Sequence, residues 1–202
     1  AIEAGASAVN YVEMVSAERV GDKWVAALRC TDTGEEFTTF ATTIVNAAGP
    51  FVDDTNQQWG LKTEHRIVYS KGIHLVVPRI TTHRHHKVLA FYDDTERLFY
   101  VIPMGRRSVI GTTDTRVDTP FTEVDQDDID FLLGQINARL DLATPLTKED
   151  IIAERSGVRP LVVAAGKGDQ NDVDWTKLSR KHAVEVDTDQ HVVTIFGGKL
   201  TD

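Results

Sequence analysis

Val192-Val193-Thr194-Ile195-Phe196-Gly197-Gly198-Lys199-Leu200-Thr201-Asp202 closes the chain and decides how the rest is read. Five apolar or β-branched residues make a strand. The paired glycines release its backbone at the strand end, where no Cβ stands between main chain and ligand, and Lys199 adds a cation. The stretch reads as a turn that faces a phosphate or a cofactor. Three other segments set glycine or proline beside polar groups at the ends of β-like runs: Val45-Asn46-Ala47-Ala48-Gly49-Pro50, Ser70-Lys71-Gly72-Ile73-His74 and Gly157-Val158-Arg159-Pro160. Strand ends are where open α/β sheets present residues to ligands.

The composition sets outer limits. With 202 residues and 41% hydrophobic content the chain is globular and long enough for one large or two small cores. A net charge of −9 argues against nonspecific nucleic-acid binding, which needs clustered cations to displace counterions. The single cysteine, Cys30, excludes an intrachain disulfide and fits a reducing compartment. It lies in an alternating strand run from Trp24, so it reads as a strand residue, not a nucleophile. No stretch approaches the roughly 18 apolar residues of a membrane span.

Periodicity orders the elements. Residues 1–8 favour a helix and lead into a β-like run over 9–15. Residues 24–30 and 36–40 flank Thr31-Asp32-Thr33-Gly34-Glu35, a hairpin signal. A strand over 42–46 delivers Gly49-Pro50 to its end. Between 61 and 113, β signals recur at 67–69, 74–77, 88–91, 98–102 and 108–110 with no helix between them, which predicts an antiparallel sheet. A helix is predicted over 124–140, where Ile129, Leu132, Leu133, Ile136 and Leu140 form one stripe and Asp125, Asp127 and Asp128 suit its N-terminal dipole. Residues 151–163 lead back toward the first region. Two clusters are set aside: His83-Arg84-His85-His86-Lys87 carries cations that oppose a metal, and Asp169-Gln170-Asn171-Asp172-Val173-Asp174 lacks the turn glycine and closing Glu of a calcium loop.

Together with Ile110-Gly111-Thr112-Thr113-Asp114-Thr115 and Leu178-Ser179-Arg180-Lys181-His182, these segments resemble, in order and spacing, the FAD-dependent glycerol-3-phosphate dehydrogenase and α-glycerophosphate oxidase family. The resemblance runs from about residue 4 to 201. It implies an α+β or mixed α/β chain: part of an FAD-binding domain of the glutathione-reductase and D-amino-acid-oxidase type, with an antiparallel-sheet substrate domain. The expected division is 1–60 and 153–202 for the FAD-binding part and 61–152 for the substrate domain. No G-x-G-x-x-G turn occurs in the chain, so an internal fragment is expected, lacking the N-terminal nucleotide-binding unit and a C-terminal region.

The implied reaction of the full-length protein is oxidation of sn-glycerol 3-phosphate to dihydroxyacetone phosphate, with FAD taking hydride and a quinone or oxygen taking the electrons; the fragment alone is expected to lack FAD and to be inactive. The reaction needs a base for the alcohol proton and cations for the phosphate. The resemblance gives catalytic roles to His74 and Arg159 and substrate binding to His74, Arg159 and Lys199. Cofactor contacts fall to Gly49, Pro50, Thr113, Asp114, Gly197, Gly198, Lys199, Leu200 and Thr201. Lys71 is a candidate for anion binding by neighbourhood only, whereas Arg155 reads as a solvated or structural residue. The expected setting is cytoplasmic, with peripheral membrane association of the full-length protein and no metal. Two alternatives stay open: an FAD-dependent amine or amino-acid oxidase of the same fold, and a folded, non-catalytic domain fragment.

Overall fold

The computed structural model describes residues 2–80, 87–92, 94, 97–166 and 181–198. Two units emerge, residues 1–67 with 162–202, and residues 68–161. The junctions lie inside two long strands, at 67/68 and 161/162, whereas the resemblance implied divisions after 60 and 152.

In the first unit, β1 (Val12–Val20), β2 (Lys23–Cys30) and β3 (Glu36–Ala41) form an antiparallel meander. The predicted hairpin is β2–β3, with Arg29 opposite Glu36 and Trp24 opposite Ala41. Its turn needs the positive φ of Gly34, +75°. Trp24, Ala17 and Ala26 pack with Val192 and, at the margin, Trp59 and Leu61. The helix expected over 1–8 is absent: only Ile2–Ala4 makes a single 3-10 turn, with no buried residue. Local propensity without an apolar face to bury does not hold a helix in water.

A second sheet of this unit has the order β11 (Ala183–Asp187), β12 (Val192–Phe196), β4 (Ile44–Asn46). β12 and β4 are parallel, with Val192 opposite Ile44 and Thr194 opposite Asn46. After β4 the chain makes one 3-10 turn, Gly49–Phe51, and then α1, Val52–Gln58.

The second unit is built on one sheet ordered β10 (Ala153–Ala164), β5 (His65–Pro78), β8 (Arg107–Gly111), β7 (Leu98–Met104), β6 (Leu89–Tyr92). A short β9 (Thr115–Val117) pairs with the first part of β5. The β5–β8, β8–β7 and β7–β6 pairings are antiparallel, as the closely spaced β signals require. The two signals at 67–69 and 74–77 belong to one continuous 14-residue strand.

Alternation along β5 sorts its side chains. Ile73, Leu75 and Val77 face a core completed by Phe99, Val101, Ile110 and Leu132, Leu133 and Ile136 of α2 (Gln126–Arg139). Each such side chain contributes about 1.5–3 kcal/mol by leaving water. Ser70, Gly72, His74 and Val76 point to the opposite face. α2 opens with a reciprocal capping box, in which Asp125 accepts from the Asp128 N–H and Asp128 from the Asp125 N–H. None of the described helices is long and apolar enough to cross a membrane.

Candidate functional site

The site face of the second unit exists because two glycines remove side chains from it. β8 ends at Gly111 and β9 begins at Thr115, so residues 112–114 leave the sheet beside Gly72 and Ile73 of β5. Arg159 belongs to β10, on the other side of β5, and its side chain crosses over Gly72 to reach those residues. A Cβ on Gly72 would stand 2.1 Å from Arg159 Nη2 and 2.5 Å from its Cζ. Arg159 Nη2 donates to Thr112 Oγ1 at 2.9 Å, Nη1 donates to Ser70 Oγ and the Thr113 carbonyl at 3.4 Å each, and Asp114 Oδ1 lies 3.6 Å from Nη1. The Ser70 hydroxyl donates to Asp114. The guanidinium is thus fixed before any ligand arrives.

His74 lies two residues beyond Gly72 on the same face, opposite Gly111. A Cβ on Gly111 would come within 2.6 Å of His74 Cδ2, so the imidazole leans over the neighbouring strand into the space that glycine leaves. Burial, and then the charges of Arg159 and Arg155, hold His74 below the usual histidine range. The ring is neutral near pH 7 and able to accept a proton.

Thr113 is buried, and its hydroxyl accepts from the Ile73 N–H at 3.0 Å. Thr113 and Asp114 therefore gather around Arg159 and β5. Lys71 pairs with carboxylates of the protein itself. It points to the α2 side, buried, with Nζ 2.6 Å from both Asp125 and Asp128. Burial alone would lower its pKa, but the two carboxylates outweigh that and hold it above the ordinary lysine value. Lys71 in turn keeps the Asp125 carboxyl below the usual range.

In the first unit, Gly49 and Gly197 follow the carboxyl ends of two adjacent parallel strands, β4 and β12. Gly49, Gly197 and Gly198 have φ of +57°, +61° and +99°, which L side chains rarely adopt. Among the described residues nothing lies within 4 Å of a Cβ built on Gly49, which leaves room there for a ligand. Asn46, buried at the end of β4, holds the turn: its Nδ2 donates to the Val52 carbonyl at 2.9 Å and to Asn56 Oδ1 at 2.8 Å, and its Oδ1 accepts from the Ala48 N–H at 3.2 Å. Thr194 of β12 also donates to Asn56, at 3.3 Å. This network ties the turn before Pro50 to the strand that carries Gly197. Exposed backbone N–H groups at parallel strand ends suit a dinucleotide's phosphates and ring edge, and these residues fit such a group.

Lys199, Leu200 and Thr201 lie outside the described residues, as do His83–His86 and residues 169–174. Among the described residues no cluster of His, Cys, Asp or Glu suits a metal ion. A concavity of about 490 Å³ is lined by residues 61–64 and the β11–β12 hairpin and includes none of the expected site residues. Size alone does not identify a site without convergent polar chemistry. Asn46, Ser70, Gly72 and Thr112 also build these arrangements, without a role assigned to them from the sequence. Their signal was polarity or glycine at a strand end, and the partner that explains each lies far away in sequence.

Residues 1–176 match the FAD dependent oxidoreductase family. The chain is 37% identical over 193 residues to glycerol-3-phosphate dehydrogenase 2 of Mycobacterium bovis, covering 94% of this chain and 31% of that protein. It is 31% identical over 205 residues to the mitochondrial glycerol-3-phosphate dehydrogenase of Mus musculus, covering 98% and 27%. The glycerol-3-phosphate dehydrogenase from Bacillus halodurans, solved with FAD, superposes with a TM-score of 0.78 at 26% identity over 99% of this chain and 37% of that one. The chain thus spans about a third of the length of these relatives. With strand-end glycines that suit a dinucleotide and a family match over most of its length, the chain belongs to the FAD dependent oxidoreductases.

Proposed function

We propose that the chain is the substrate-binding portion, with part of the cofactor-binding portion, of a protein that oxidises sn-glycerol 3-phosphate to dihydroxyacetone phosphate. The observation that carries this reading is the pairing on one sheet face of a fixed guanidinium, Arg159, with a neutral imidazole, His74. Residues 68–161 form the substrate unit, and the rest contributes to the FAD-binding unit.

Arg159 binds the phosphate, presenting the edge of a guanidinium that Thr112, Ser70 and Asp114 hold in place. Lys199 stands in this proposal as a further substrate-binding cation. His74 takes the proton of the secondary hydroxyl while the hydrogen on that carbon departs with its electron pair. Bound FAD supplies the hydride acceptor. Gly49, Pro50, Gly197, Gly198, Leu200 and Thr201 would hold the cofactor, and Thr113 and Asp114, proposed as further contacts to it, also position Arg159. The electrons pass on to a quinone or to oxygen. With a quinone, the longer protein works peripherally at the cytoplasmic face of a membrane.

An anaerobic absorbance spectrum of the flavin-loaded longer protein, before and after sn-glycerol 3-phosphate, tests the reading. Bleaching of the flavin band is the expected result. A band left intact by this substrate and bleached by glycine-type amines overturns it in favour of an amine or amino-acid oxidase.

A further inference from the structure

Strand register places one more polar side chain on the site face. Gly111 of β8 lies opposite His74 of β5 on one side and opposite Tyr100 of β7 on the other. Residues directly opposite in antiparallel strands point to the same face, so His74, Gly111 and Tyr100 form one row, whose middle position has no side chain. The neighbours agree: Phe99 and Val101 are buried in the α2-side core, while Tyr100 and Ile102 are each 36% exposed on the other face. The Tyr100 hydroxyl has no hydrogen-bond partner among the described residues.

Arg159 over Gly72, His74 and Tyr100 thus form a right angle. From the guanidinium to His74 the path runs along β5, and from His74 to Tyr100 it runs across the strands, with the leaning imidazole and the Ile73 carbonyl nearest the gap at Gly111. A ligand anchored by an anionic group on Arg159, with its reacting carbinol at His74, directs its next polar atom toward Tyr100. We infer that Tyr100 is a third substrate-contacting residue, whose hydroxyl hydrogen-bonds the terminal hydroxyl of a phosphorylated three-carbon polyol and so selects it over an analogue ending in methyl. This inference rests on the substrate reading above and deepens it.

The test compares Tyr100 with Tyr100→Phe in the flavin-loaded longer protein. Two substrates are used: sn-glycerol 3-phosphate and the matching propane-1,2-diol phosphate, which lacks the terminal hydroxyl. The substitution removes one oxygen from a partly exposed ring, so melting temperature and flavin content serve as folding controls. One neutral hydrogen bond corresponds to about a two- to tenfold change in affinity. The expected result is a rise of that size in KM for the triol phosphate, little change in kcat, and no change for the deoxy analogue. Calorimetric titration with dihydroxyacetone phosphate, which keeps the same hydroxyl, should show the same loss of affinity. Equal effects on both substrates, or none on either, overturn the role of Tyr100 while leaving the substrate reading intact. If the unsubstituted protein is not reduced by sn-glycerol 3-phosphate at all, the substrate reading fails and the Tyr100 inference fails with it.

Discussion

Replacing Gly72 by Ala probes the arrangement of Arg159 directly, because the backbone at Gly72 is ordinary strand and only space is missing. The new Cβ would lie 2.1 Å from Nη2. Restoring an ordinary contact of 3.4 Å moves the guanidinium by about 1.3 Å, which breaks the 2.9 Å bond to Thr112 and stretches the 3.4 Å contacts to Ser70 and Thr113. A charged hydrogen bond is worth about 1.5–3 kcal/mol. The side chains of Arg159 and Asp114 are each 25% exposed, so water recovers part of that and about 1–2 kcal/mol is lost. Ala in place of a strand Gly returns about 0.5–1 kcal/mol. In an Arg159→Ala background only that gain remains, and Gly72→Ala should stabilise. A double-mutant cycle by urea unfolding should therefore give a coupling of about 1–2 kcal/mol, seen as midpoint shifts of opposite sign in the two backgrounds. If the two substitutions add within about 0.5 kcal/mol, Arg159 does not lie over Gly72 and the site geometry is wrong.

Asn46→Ala should cost about 2–3 kcal/mol by leaving buried partners unmet, and hydrogen exchange should show the Ala48 N–H losing protection in step. Lys71→Met leaves Asp128, only 6% exposed, as an unpaired buried carboxylate, so a loss of about 3–5 kcal/mol is expected in chemical denaturation, with most of it recovered in Lys71→Met/Asp128→Leu. For His74, the folded pKa lies below the unfolded value of about 6.5, so the unfolded chain takes up the proton first on acidification. Stability should level off above that pH and fall as pH drops from about 6.5 through the lower folded value. His74→Gln should flatten that part of the stability profile, and an unchanged slope would contradict a buried neutral imidazole.

Much of this fold was legible because apolar spacing reports burial. The stripe from Ile129 to Leu140 gave α2 to within two residues at each end, and the dense β signals gave the antiparallel sheet. β5 read as two strands because Ser70, Lys71 and Gly72 break the apolar pattern, each for a reason invisible locally. Ser70 serves Asp114, Lys71 serves a helix cap 54 residues later, and Gly72 makes room for an arginine 87 residues on. The same distance hid the fate of Lys71, whose neighbourhood suggested an anion site while its partners are carboxylates. At the N-terminus the error ran the other way: Ala and Glu signalled a helix where the structure has one 3-10 turn that buries none of its residues. His74 and Arg159 stand out in the sequence as candidates by motif and chemistry, but their sharing of one sheet face depends on strand pairing and on the space over Gly72, which a single sequence does not print.

β5 carries incompatible duties on consecutive residues. Ser70, Gly72 and His74 serve one face, and Lys71, Ile73 and Leu75 the other. An insertion or deletion of one residue anywhere between Ser70 and Val77 would exchange the two sets downstream of it, driving an imidazole toward Leu132 and Ile136 while Ile73 and Leu75 turn outward. This segment should therefore drift by substitution but not by length. Changes of length should collect instead in exposed connections such as residues 118–123, where no strand register counts the residues.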